Sequence, residues 1–134
     1  MGTEFINPAG VFKHPSFTRV VTVTGPAKLI FIAGQTPSDD DYQPVAPGDY
    51  RGQYVKIMEN LAVQLAAVGA GWDDVTFKRT YTLDVDAYLK AVADPQTPKF
   101  GDASRPPPGT LLGVTRLSKP EFLIEIEIMA VVSE

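Results

Sequence analysis

The chain has 134 residues, 44% hydrophobic and 21% charged, which suits one globular domain with its own core and excludes a disordered segment. It contains no cysteine, so disulfides, thiolate catalysis and thiolate metal sites are excluded together. Twelve basic and 16 acidic residues leave a formal charge of −4, with no basic run longer than Lys78-Arg79. That balance disfavours nucleic acid as a partner, because binding it normally takes a basic stripe that displaces phosphate counterions.

No stretch approaches the ~20 apolar residues needed to cross a bilayer, and no signal peptide opens the chain. Ile6 stands where an N-myristoylation motif needs Ser or Thr. A cytoplasmic protein with no membrane partner is the default expectation.

The first expected strand is Thr18–Thr24, rich in β-branched residues. Gly25-Pro26 makes a turn, and the apolar run Leu29–Gly34 completes an expected β-hairpin. Thr36–Gly48, with three prolines and Asp39-Asp40-Asp41, reads as a surface loop. Asp49 can cap a helix whose apolar residues Tyr54, Ile57, Met58, Leu61, Leu65 and Val68 share one face, with Gly69 and Gly71 as its stop.

Val75–Leu83 alternates, with Val75, Phe77, Arg79, Tyr81 and Leu83 on one side. A shorter helix follows over Val85–Ala93, closed by Asp94-Pro95, and Pro98–Gly109 is a proline-rich loop. Two final strands are expected at Thr110–Leu117 and Phe122–Val132. The order β-β-α-β-α-β-β predicts an α+β domain over residues 1–134, one sheet with both helices on one face. In the last strand Ile124, Ile126 and Ile128 face one way and Leu123, Glu125, Glu127 and Met129 the other. Neither side is a plain solvent face, so self-association through the uncovered one is expected.

Several segments together resemble the RidA/YjgF family. They are Phe31-Ile32-Ala33-Gly34-Gln35-Thr36-Pro37, the helix residues Gln53, Asn60, Leu61 and Leu65, and the stop Gly69-Ala70-Gly71. The proline-rich approach to Thr110, the Val114–Leu117 segment and the closing Leu123–Ala130 match as well, in the same order over nearly the whole chain. The resemblance implies a chorismate-mutase-like homotrimer with small-molecule clefts between neighbouring subunits. It also implies hydrolysis of reactive enamines and imines to ammonia and a keto acid.

The same resemblance marks departures. The arginine that grips the substrate carboxylate in the family's deaminases aligns with Gly109, and lysine or a neutral residue replaces such a bidentate clamp poorly. The tyrosine, serine and asparagine of those deaminases align with Phe17, Ala33 and Val92; the closing acid is kept as Glu125. Glu125 is therefore the candidate catalytic residue, orienting or activating water, with a purely structural carboxylate weighed equally against it. Phe17, Ala33, Gly34, Val92, Arg105, Gly109 and Thr110 are the candidate substrate-binding positions. Arg105 is included as a substitute for the missing arginine, although a surface arginine is the plainer reading. Gly109 either admits a close backbone approach to a ligand or neighbouring chain, or is a turn glycine.

Glu127 is assigned a structural role. His14 lacks partners for a zinc site and an orienting acid for a dyad with Ser16, so no metal is expected. Trp72 reads as a core plug, and Asp39–Asp41 lacks the spacing of a calcium loop. No glycine-rich phosphate motif occurs, and no cofactor is expected. The expected function is a divergent hydrolase or deaminase of small imines, enamines or related metabolites. The alternatives are a non-catalytic binder of a small apolar metabolite and, third, an endoribonuclease. The acidic balance and the lone His14 argue against the third.

Overall fold

Asp49 starts the long helix as its sequence predicts. In the computed structural model, which describes residues 1–134, its backbone is extended and its carboxylate accepts the Gly52 amide at 3.0 Å. One of the donors that every helix N-terminus leaves unpaired is thereby satisfied. Helix α1 (Tyr50–Ala67) buries Tyr54, Ile57, Met58, Leu61 and Leu65 along one face. It closes in a Schellman turn, with the Ala70 amide donating to Leu65 O at 2.9 Å and the Gly69 amide to Ala66 O at 3.1 Å. Gly69 takes φ +78° there, which costs glycine little. Val68, expected on the buried face, is instead the C-cap and stands exposed where the chain turns away. The second helix, α2 (Val85–Ala93), has the expected bounds; Asp84 caps it through the Ala87 amide at 3.0 Å.

Six strands accompany the helices: β1 (Gly2–Ile6), β2 (Val20–Thr24), β3 (Ala27–Gln35), β4 (Val75–Thr82), β5 (Gly109–Gly113) and β6 (Ile124–Ser133). Four of them form the main sheet in the order β3-β6-β4-β5, with β4 and β5 parallel and the other pairs antiparallel. The α+β expectation is met. Ile124, Ile126, Ile128 and Ala130 of the central β6 are buried against α1, Ile30 of β3, Val75 of β4 and Tyr88 of α2. Trp72 packs against this core, edge-on to Phe100. No helix is long and apolar enough to cross a membrane.

The expected hairpin does not form. β2 pairs with β1, from Gly2 opposite Thr24 to Ile6 opposite Val20, in a separate two-stranded sheet, while β3 takes β6 as its partner. The expected single sheet is therefore two. A turn at Gly25-Pro26 reverses the chain but does not choose which strand pairs with which. β5 stops at Gly113 rather than Leu117, and β4 at Thr82 rather than Leu83. Phe122, fully buried, lies just outside β6.

Neither helix covers the other side of the main sheet. Alternation places Leu29 and Phe31 there, 60% and 67% exposed, with Phe77 and the 37%-exposed Met129.

Candidate functional site

Strand register assembles the polar residues of this open face. On β6, Glu125 and Glu127 lie one period apart; across on β4, Tyr81 is in register with Glu125 and Arg79 with Glu127. The two carboxylates meet different surroundings. Arg79 forms an ion pair with Glu127, and the Tyr81 hydroxyl donates to the same carboxylate at 2.8 Å. Tyr81 first and Glu127 second, as side-chain hydrogen-bond partners, hold the Arg79 guanidinium further into its charged form. Glu125 receives no such compensation. Half-buried, it has its carboxyl pushed above the usual range, first by desolvation and second by the neighbouring charge of Glu127.

The opposite wall comes from β3, whose pairing with β6 shifts register between Ile32 and Gln35. That irregularity carries Ala33 and Gly34, and it brings Gly34 against the Glu125 carboxylate, where a side chain of any size would overlap Oε2. On the same face opens a hollow of about 280 Å³, lined by Phe31, Ala33, Phe77 and Met129 with Arg79 and Glu127, while Gly34 and Glu125 lie outside its lining. Ala33, Gly34 and Glu125 are thus brought together.

The remaining expected residues lie elsewhere in the single chain. Thr110 is exposed on β5, in register with Arg79. Gly109 does make a close approach, but to its own chain: a Cβ there would collide with the Lys78 carbonyl. Val92 packs against the core from α2. The guanidinium of Arg105 lies 4.4 Å over the Phe5 ring and lines another cavity. Phe17 stacks on His14 at 4.6 Å, and Arg19 lies over its ring at 5.0 Å. The Ser16 backbone amide donates to His14 Nδ1 at 3.0 Å, so that nitrogen does not serve the Ser16 hydroxyl. Asp39 is occupied by the amides of Asp41 and Gln43, both at 2.9 Å. No group of three or more metal-ligating side chains converges anywhere.

Arg79 and Tyr81 were not singled out from the sequence as site residues. Their alternation with Phe77 placed them on one face, but only the β4–β6 register puts them beside the two acids.

The endoribonuclease L-PSP family model matches residues 13–132. A RutC family protein of Pyrococcus abyssi is 32% identical over 102 residues, 76% of this chain and 77% of that one. YyfB of Yersinia pestis, whose structure is described as that of a Rid family protein of unknown function, is 27% identical. It superposes with a TM-score of 0.81 over 98% of this chain and 100% of its own. A Mycobacterium tuberculosis member of the YjgF/YER057c/UK114 family is 26% identical, with a TM-score of 0.59 over 98% of this chain and 100% of that one.

Proposed function

The chain belongs to the endoribonuclease L-PSP family, that of the RidA/YjgF proteins, and we propose that it hydrolyses small imines or enamines in clefts between subunits of a homotrimer. The observation that carries this reading is the contrast between Glu127, neutralised by Arg79 and Tyr81, and Glu125, which stays unpaired with its pKa raised. A half-buried carboxyl with a raised pKa beside an ion-paired neighbour supports an acid–base role for Glu125. A carboxyl shifted toward neutrality can take a proton from water and return it within one turnover.

In the proposed reaction a water oxygen bonds to the imine carbon while its proton passes to Glu125. Glu125 passes that proton to the imine nitrogen, giving a neutral carbinolamine. Glu125 then takes the proton of the new hydroxyl as the carbonyl forms, and delivers it to the nitrogen, which leaves as ammonia as the C–N bond breaks. The water is consumed and Glu125 is regenerated.

The substrate class follows from the lining. With Gly109 closed on Lys78 there is no room for an arginine side chain, and Arg79 is already engaged by Glu127. The hollow on the Glu125 side of the sheet presents Phe31, Ala33, Phe77 and Met129. We therefore assign a less polar substrate than a simple imino acid. The uncovered apolar face of the main sheet supports the trimer.

The test generates imines from a panel of amino acids with an amino-acid oxidase and follows their decay. The protein, its Glu125→Ala variant and an arginine-bearing deaminase of the family are compared. Faster decay with the wild type alone, greatest for apolar side chains, is the expected result. No acceleration while the control is active overturns it. That outcome favours a second reading, a non-catalytic binder of a small apolar metabolite, which the same lining supports. RNA cleavage is not proposed: the basic residues are scattered, and the only histidine is stacked on Phe17 with Nδ1 occupied.

A further inference from the structure

Lys78 lies on the opposite side of the main sheet from Glu125. It is in register with the buried Ile128 and lies between Phe77 and Arg79, so its side chain points to the helix side of the sheet, away from Glu125. There it lines a cavity of about 160 Å³ with Met58, Trp72 and Phe100. We propose that Lys78 is a reactive amine whose pocket takes up a small 2-oxo acid as a covalent imine.

Three features support the assignment. A minor share of the Lys78 surface stays accessible, yet its ammonium is desolvated enough to hold its pKa below the ordinary lysine range, with no carboxylate offsetting the shift. Desolvation is one of the ways an enzyme turns lysine into a nucleophile, and the cavity beside this one sets Met58, Trp72 and Phe100 against the polar Ser16, Asp73, Asp102 and Arg105. The backbone is also fixed: the Lys78 amide donates to Pro108 O at 3.0 Å, and Gly109 presses on its carbonyl. The amine is therefore presented from a rigid base beside the stiff Pro106-Pro107 wall. Third, Arg105 lines the same cavity and is exposed at its rim, where its guanidinium can receive a carboxylate.

The carboxylates of the lining do not compete for the amine. Asp102 is taken up by the Ser104 amide at 2.9 Å and its hydroxyl at 2.6 Å, and Asp73 does not contribute to the Lys78 shift. The volume equals about five waters, which fits a carbonyl compound of two to four carbons. In the step itself the lysine nitrogen, having given up one proton, bonds to the carbonyl carbon. The carbonyl oxygen leaves as water. One ammonium and one carbonyl group thus become one protonated imine and one water, with no oxidant or reductant needed.

The test incubates the full-length protein with glyoxylate and cyanoborohydride at neutral pH, then maps the reduced adduct by peptide mass. The expected label falls first on Lys78, ahead of Lys13, Lys28, Lys56, Lys90, Lys99 and Lys119, and this fast fraction is lost in Lys78→Arg. Arg105→Gln slows labelling by glyoxylate but not by acetaldehyde. Lys78 labelled no faster than the other lysines of the wild type overturns the proposal, and that readout needs no variant to fold. An unchanged glyoxylate rate in Arg105→Gln overturns the choice of an oxo acid. Neither result bears on Glu125, which lies across the sheet.

Discussion

Gly34 and Glu125 fit together so closely that no side chain can be added to the first without moving the second. The atom displaced would be the far end of a flexible side chain rather than backbone. Gly34→Ala is therefore expected to leave the melting temperature close to that of the wild type while turning the Glu125 carboxylate away. A misplacement on the order of 1 Å can cost about a hundredfold in rate. Imine turnover should fall by roughly that factor with folding intact; unchanged turnover would dissociate Glu125 from the chemistry.

Gly109 shows the opposite case, because the atoms in the way are the Lys78 backbone. Any side chain there must push β5 off β4. Gly109→Ala is expected to lose about 1–3 kcal/mol in urea unfolding, the usual penalty of overpacking. Gly109→Arg should lose at least as much and should not create an imino-acid deaminase. A stable, active Gly109→Arg protein would show that the strand edge yields.

The raised pKa of Glu125 has a signed consequence for stability. Its folded value lies above the ordinary 4.5, so the native state holds the proton more tightly than the unfolded chain. Its contribution is fully present below that ordinary value and is lost as pH rises through the folded one. Glu125→Gln should accordingly be more stable than the wild type near neutrality and indistinguishable from it in acid. Paired melting curves across that range test this, and a difference that grows toward low pH contradicts the assignment. Activity, which needs the carboxylate, should rise over the same window.

Gln53 is fully buried and joins three segments. Its Nε2 donates to Ala46 O at 3.2 Å and Glu121 O at 2.8 Å, and its Oε1 accepts the Leu123 amide at 2.9 Å. Gln53→Leu keeps the bulk but strands those backbone groups, and a loss of about 2–3 kcal/mol is expected in chemical denaturation. A loss below about half a kcal/mol would mean that water replaces the side chain.

The proposed trimer rests on the open sheet face. Phe31→Glu, on the β3 edge of that face, should yield a folded monomer by light scattering, because an exposed charge there costs little in the monomer and is desolvated in the assembly. A trimer that survives would move the interface elsewhere.

What the sequence determined by itself is what depends on near neighbours. Asp49, the three-and-four spacing from Tyr54 to Leu65 and the Gly69 stop act within one or two turns, and α1 follows them; so does α2 from Asp84. Alternation likewise assigned Ile124, Ile126 and Ile128 to one face of β6 and Glu125 and Glu127 to the other. The family was legible from its ordered motifs. Tertiary structure alone decided the pairings, since each backbone ladder joins segments distant in sequence and every strand offers two edges. β2 therefore found β1 rather than β3. The same non-local register set Arg79 and Tyr81 on Glu127, pressed Gly34 against Glu125, and closed β5 over Lys78. Residue types showed which groups could carry chemistry. Only the packing of distant strands determined which carboxylate is neutralised and which lysine is desolvated.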